Sequence, residues 1–266
     1  MSYLEVAKNA AKKTGDFLLK ELGRLSSDNI TEKGLNDFVT TVDFQAEKLV
    51  TDIILKEFPD HSNLAEETGL SDQQSPYMWI IDPLDGTKNY IHNIPVFGVS
   101  IALMHEGEVI LGVVFHPAAD ELFWAEKNKG AFLNGDRIHV SEHEHLQNAL
   151  LATGFPHRKK TYILRYLQLF EQLFLAASDL RRMGSAAIDM VYVACGKMDG
   201  FFELGLSIWD LAAGEIIVRE AGGRVTDFWG ENNHLSSGYI LAATPQVHKD
   251  ILNLAGNYFP YNQNEK

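Results

Sequence analysis

Trp79-Ile80-Ile81-Asp82-Pro83-Leu84-Asp85-Gly86-Thr87-Lys88-Asn89 joins an apolar run to a pair of acids. Met78, Trp79, Ile80 and Ile81 read as a buried strand, since four successive apolar side chains bounded by turn residues need cover on both faces. Asp82 follows at once, so its carboxylate emerges at the strand's carboxyl end, where open α/β sheets place their ligands. Pro83 stiffens the turn. Asp85, three residues on, swings back to the side of Asp82, and Gly86 permits close approach of the backbone to a ligand. If a helical turn begins at Gly86, the amides of Gly86 and Thr87 point outward and form an anion site beside the two carboxylates. Asp-Pro-x-Asp-Gly is also ordinary turn chemistry on its own, so the rest of the chain has to decide.

Working outward, Leu4, Ala7, Ala11, Thr14, Leu18 and Leu22 recur at spacings of three and four, which predicts an amphipathic helix ending at Gly23. A polar stretch, 26–37, leads to a second helix with Val42, Ala46, Leu49 and Ile53 on one face, ended by Pro59. Beyond the 78–81 strand, β-rich runs at 97–104, 109–115 and 121–125, with an Asn134-Gly135 turn behind them, predict an antiparallel meander. The second half alternates strands at 150–153, 200–203, 224–226 and 239–242 with helices near 161–176, 185–195, 210–221 and 245–255. Gly222-Gly223 suits a left-handed cap on the helix that begins at Asp210. The expected organisation is two α/β halves, 1–145 carrying most of the acids and 146–266 completing the site, packed as one layered body.

Composition narrows the function. The 266 residues carry 36 acids against 23 lysines and arginines, a formal charge of -13 that disfavours a broad contact with nucleic acid or an anionic membrane. Apolar residues make up 45% and charged residues 22%, the mix of a folded globular chain rather than a disordered one. The longest apolar runs, 97–104 and 109–115, fall far short of the ~20 residues that cross a bilayer. Cys195 is the single cysteine and can make no internal disulfide, and Met1-Ser2-Tyr3-Leu4-Glu5 lacks a basic segment before an apolar core. The cytoplasm is the expected address.

Further acids keep company with Asp82 and Asp85. Glu66-Glu67 follows a short apolar stretch, and Asp210 stands at a helix start after Trp209. Taken singly, the first pair reads as a solvated pair and the second acid as an N-cap. Together they form an oxygen-rich set with no histidine or cysteine close by, which suits magnesium or manganese rather than zinc.

The combination of Ala65-Glu66-Glu67-Thr68, the Asp82-Pro83-Leu84-Asp85-Gly86-Thr87 core, Trp209-Asp210-Leu211-Ala212-Ala213-Gly214 and Glu220-Ala221-Gly222-Gly223 resembles the inositol monophosphatase family. That family belongs to the magnesium-dependent, lithium-sensitive phosphatase superfamily that also holds fructose-1,6-bisphosphatases. The resemblance implies an α/β/α/β/α layered sandwich, a homodimer, and hydrolysis of inositol 1-phosphate or a related polyol or sugar monophosphate. Carried over by position, it implies that Glu66, Asp82 and the Leu84 carbonyl hold one Mg2+ and that Asp82, Asp85 and Asp210 hold a second. Two or three ions per subunit are expected, with Mn2+ as a substitute. Glu66 and the Thr87 hydroxyl orient the attacking water, and Asp43 bonds Thr87 and helps hold a third metal. The amides of Gly86 and Thr87 bind phosphate, while Glu203, Ser185, Asp85 and Asp210 meet the alcohol. The chemistry agrees, because phosphate ester hydrolysis is extremely slow uncatalysed and needs charge stabilisation on several oxygens.

Local readings stay open beside these: a helix-start charge for Asp43, an N-cap for Ser185, a solvated side chain for Lys33. Arg181 and Arg182 read as surface or interface ion pairs that leave a bisphosphate substrate open. Cys195 reads as a small buried apolar group. His139, His143 and His145 read as a polar strand end, and Trp124, Trp209 and Trp229 as core. Fructose-1,6-bisphosphatase or histidinol-phosphatase activity and a regulatory role through a protein partner, as in relatives that contact the transcription machinery, are the competing functions. A two-metal nuclease lacks a basic aromatic groove.

Overall fold

The N-terminal stripe folds as α1 (Tyr3–Glu21), started by the Ser2 side chain accepting the Glu5 amide at 3.2 Å. The chain is seen here as a computed structural model that describes residues 1–25, 30–34, 37–71 and 73–260, with the side chains of 30–38 excepted. Lys33 therefore lies outside the described side chains. A hairpin of β1 (Ile30–Gly34) and β2 (Asp37–Thr40) leads into α2 (Thr41–Glu57). This helix buries Val42, Ala46, Val50 and Ile54; the predicted Ile53 is partly buried against the same core, and Leu49 is half-buried. Asp43 and Glu47 are buried as well, and their polar partners rotate the helix so that the inward face includes two acids.

Next come β3 (Ser62–Ala65), β4 (Gly69–Leu70), β5 (Tyr77–Asp85) and a short helix α3 (Thr87–Ile91). The predicted meander is β6 (Gly98–His105), β7 (Glu108–His116), β8 (Glu121–Glu126), β9 (Gly130–Leu133) and β10 (Asp136–Ile138). Asn134 and Gly135, both at positive φ, turn the chain between the last two. These strands form one sheet in the order β10-β9-β8-β7-β6-β5-β3-β4, antiparallel except where β3 runs parallel to β5.

The second sheet collects β11 (Leu150–Thr153), β12 (Asp179–Arg181), β13 (Gly200–Leu204), β14 (Arg224–Thr226) and β15 (Tyr239–Ala243) in the order β12-β11-β13-β15-β14. Between them run α4 (Ile163–Ala176), α5 (Ala186–Ala194), α6 (Ile208–Glu220) and α7 (His234–Ser237), and α8 (Pro245–Tyr258) follows the last strand. Helix α6 starts two residues before Asp210, with Ser207 as its N-cap, so Asp210 is a first-turn acid and not the cap itself. It ends as expected: Gly222 has φ +91°, and the Gly223 amide donates to the Val218 carbonyl at 2.9 Å.

Three apolar cores define the layers. Helices α1 and α2 pack on one face of the first sheet through Val6, Ala10, Val50 and Ile54 against Trp79, Ile81, Ile101 and Val113. The opposite face, with Ile80, Ala102 and Val114, shares a core with α5, α6 and the near face of the second sheet. The far face of that sheet, with Leu151, Phe202 and Leu241, is closed by α4 and α8. Helices and sheets thus alternate in five layers, α/β/α/β/α, because each sheet has two apolar faces to cover. Trp124, Trp209 and Trp229 are only partly buried against these cores, whereas Trp79 is buried completely.

The close fit of the middle layer depends on glycine. A Cβ at Gly112 of β7 would lie 2.5 Å from the Ala213 carbonyl oxygen and 2.6 Å from Ile216 Cγ2, so α6 rests its backbone directly on the sheet. Gly112→Ala is expected to lower stability by roughly 1–3 kcal/mol through overpacking. Gly256→Ala, in α8 with nothing within 4 Å of the added carbon, should raise it by about 0.5–1 kcal/mol. Urea unfolding of the two variants checks the contrast.

Candidate active site

Two residues three apart on a regular strand face opposite sides. Asp82 and Asp85 do not, because the pairing of β5 with β6 slips by one residue between them: Asp82 pairs with Ser100 and Asp85 with Gly98. This bulge, at Pro83 with its missing amide hydrogen, brings both acids to one side. Asp82 Oδ1 accepts the Leu84 amide at 3.0 Å, which fixes the bend. Gly86 follows with φ +98°, and a Cβ there would lie 3.0 Å from the Val96 carbonyl oxygen, so both conformation and space call for glycine before α3.

The other acids are delivered by helix and strand ends. Asp85 Oδ2 accepts the Ser185 hydroxyl at 2.6 Å and the Ala187 amide at 2.7 Å at the start of α5. Asp210 Oδ2 accepts the Ser207 amide at 2.6 Å at the start of α6. Glu66 follows β3, and the turn after it is held by the buried Glu47, whose carboxylate accepts the amides of Glu67 at 2.7 Å and Thr68 at 3.0 Å. Thr87 Oγ1 donates toward the Leu84 carbonyl, 3.1 Å away, and Asp43 Oδ1, 3.2 Å away. Asp43 Oδ2 in turn accepts the Thr40 amide at 2.8 Å and hydroxyl at 2.6 Å, so this residue both caps α2 and reaches Thr87.

Carboxylate oxygens of Asp82, Asp85 and Asp210 lie within 4.8 Å of one another, all buried, the only such grouping of three metal-type ligands among the described residues. His139, His143 and His145 make none; His143 Nδ1 instead meets Asp199 at 3.0 Å. Burial, and then the charges of Glu66, Asp85 and Asp210, push the Asp82 carboxyl well above the usual range. Asp85 is raised to about 7 by burial and by Asp210. Glu203 is raised to about 8 by burial, with Arg182 opposing. Burial also raises Asp43 against the hydrogen bonds from Thr40 and Thr87. Three hard oxygen donors that cannot comfortably ionise together are what a magnesium-sized cation requires, so the residues fit such an ion.

These groups line a cleft of about 720 Å³ including its open mouth, with the Leu84, Gly86, Ser185 and Glu203 positions on its walls. Glu66 also lines it but stands outside the tight trio, 3.6 Å from Arg158. Arg182 is on the wall, whereas Arg181 pairs with exposed Asp179. Cys195 is half-buried against the middle core, its thiol pushed up by burial.

Sequence reasoning passed over Glu47 and Arg158. Arg158 lies 3.2 Å from Asp210 Oδ2 and 3.1 Å from Ser207 Oγ. Its one available signal was its place in a Gly154-Phe155-Pro156 loop just after a strand's carboxyl end. Glu47 gave no local signal, since its partners are twenty and twenty-one residues away.

Five alternating layers and a cleft of buried acids at strand and helix ends define a class of layered α/β proteins that gather carboxylates able to hold a metal ion. The model of the inositol monophosphatase family matches residues 1–258. The Nus factor SuhB of Escherichia coli (strain K12) is 45% identical over 250 residues, covering 94% of each chain. Among solved structures, the extragenic suppressor protein suhB of Bartonella henselae matches with a TM-score of 0.91 at 39% identity, over 95% of this chain and 97% of that one. The IMPase of Thermotoga maritima matches with a TM-score of 0.89 at 36% identity, over 97% and 98%. The chain belongs to the inositol monophosphatase family.

The raised carboxyls predict a pH dependence. Folded Asp85 and Glu203 keep their protons up to about 7 and about 8, while unfolded carboxyls release theirs near pH 4. The folded state binds more protons in between, so these groups favour folding at low pH and that stability is lost as pH rises through about 7 to 8. Without divalent cations, the thermal midpoint should fall from about pH 5 to about pH 8, and millimolar Mg2+ should restore more at the upper end than the lower. A midpoint indifferent to both would contradict the cluster's electrostatics.

Proposed function

We propose that this protein is a magnesium-dependent phosphatase of polyol or sugar monophosphates, with inositol 1-phosphate the leading substrate. The observation that carries the reading is the convergence of buried Asp82, Asp85 and Asp210 beside the Gly86-Thr87 start of α3. In this reading Glu66, Asp82 and the Leu84 carbonyl hold one Mg2+, Asp82, Asp85 and Asp210 a second, and Asp43 helps with a third, Mn2+ being a substitute. When bound, such cations supply a Lewis acid for the phosphoryl and leaving oxygens and lower the pKa of water. The chain's own groups do the positioning. The Thr87 hydroxyl, its proton directed to Leu84 and Asp43, keeps lone pairs to accept from the attacking water. Glu66 orients that water with it and takes up its proton. The amides of Gly86 and Thr87 bind phosphate, while Glu203, Ser185, Asp85 and Asp210 meet the alcohol's hydroxyls.

Arg182 on the cleft wall keeps a bisphosphate such as fructose 1,6-bisphosphate in view, with histidinol phosphate as a further alternative. A Nus-factor role through a protein partner has the name of the Escherichia coli relative behind it. A homodimer is supported by the exposed Leu164, Leu167, Phe174 and Leu175 on α4, too much apolar surface for a helix facing only water. A cytoplasmic setting goes with these readings, and no helix among the described residues is long and apolar enough to cross a membrane.

Phosphate release from a panel of mono- and bisphosphates, with and without Mg2+, tests the proposal. Turnover should require the cation, and Asp85→Asn should lower kcat by about a hundredfold or more while circular dichroism stays unchanged. A variant that turns over normally would remove Asp85 from the machinery.

A further inference from the structure

Besides the metal-type trio, Glu66 and Glu203, the cleft wall contains one further carboxyl. Asp189 of α5 is 1% exposed, lines the cleft, and its Oδ1 has no hydrogen-bond partner. It sits one helical turn beyond Ser185, with its amide donating to the Ser185 carbonyl at 3.0 Å, so the two side chains share the face of α5 that looks into the cleft. The Ser185 hydroxyl donates to Asp85, whereas Asp189 Oδ1 has no donor. Glu203 of β13 is close enough for its charge to act on Asp189, and it has no hydrogen bond among the described residues either. The space for Glu203 is kept open by Gly154, where a Cβ would fall 2.0 Å from Oε2.

A first-turn acid can serve the helix dipole. That account does not explain Asp189, because burial and a neighbouring acid disfavour the charge that a dipole would need, and one oxygen is bare. Native proteins leave few buried polar atoms unpaired, and those few commonly await a ligand or a function. The neighbouring guanidinium of Arg182 partly offsets the repulsion, so the pair can be tolerated without a substrate.

We propose that Asp189 is a specificity-determining residue that, together with Glu203, binds hydroxyls of the substrate's alcohol on the cleft wall. Two carboxyl acceptors side by side, their charge balanced by Arg182, suit a polyhydroxylated alcohol over one with few hydroxyls. The inference rests on the hydrolase reading above and refines it.

The test compares wild type, Asp189→Leu and Asp189→Asn on inositol 1-phosphate and on p-nitrophenyl phosphate, which has no hydroxyls to read. Leucine removes the acceptor without leaving a cavity, so the thermal midpoint should rise while KM for inositol 1-phosphate rises about tenfold; KM for p-nitrophenyl phosphate should stay within about twofold. Asparagine keeps one acceptor oxygen and should stay within about threefold on both. Equal changes on the two esters, or none on either, overturn the proposal. If the wild type hydrolyses neither ester, the hydrolase reading has failed, and calorimetric binding of inositol 1-phosphate decides. A tenfold loss in Asp189→Leu upholds the polyol site; equal affinity, or no binding by the wild type, overturns it.

Discussion

Repulsion among buried carboxylates is the constraint around which this molecule is built. Asp82, Asp85 and Asp210 are held within a few ångströms of one another, away from water, where like charges interact most strongly. Such an arrangement persists only because the surrounding layers over-determine it. Two of the three acids have one oxygen secured by donors at a helix start, Asp85 by α5 and Asp210 by α6, where partial positive charge also favours an anion. The third, Asp82, has Oδ1 on the Leu84 amide at the strand bulge.

The fold supplies those anchors through the middle layer. Both helices are packed between the two sheets, α6 so closely that Gly112 accommodates only a hydrogen. The first sheet sends in Asp82 and Asp85 by way of the bulge at Pro83, and the second sends in Glu203. No single element could assemble the set, since a strand or helix presents its side chains at fixed intervals and these acids come from three separate elements, β5, α6 and β13.

Much of this was legible in the amino-acid order. The 78–81 run, the meander with its Asn134-Gly135 turn, and the Gly222-Gly223 terminator are local signals with local causes, and each appears where expected. What could not be read is what depends on distant partners. Strands β3 and β12 are short and half polar, Ser62-Asn63-Leu64-Ala65 and Asp179-Leu180-Arg181, and they exist because a neighbouring strand completes their ladder. Glu47, an acid, belongs to the inward face of α2 because it holds a loop from twenty residues away. At the site, the motif acids were visible as a set, but Arg158 stands near Asp210 only through tertiary folding. Asp189, in an otherwise apolar helix, gave no pattern that distinguishes an unpaired acid from a capped one.

The outer strands have a consequence for how the molecule meets others. β4 has two residues, and β10, β12 and β14 have three each, so both large sheets end in stubs. A rim that short offers too few free amides and carbonyls for a foreign strand to zip onto. Protection from runaway β-stacking is therefore part of the architecture, and any association of copies must be written in side chains, where its geometry can be selective and its growth can stop.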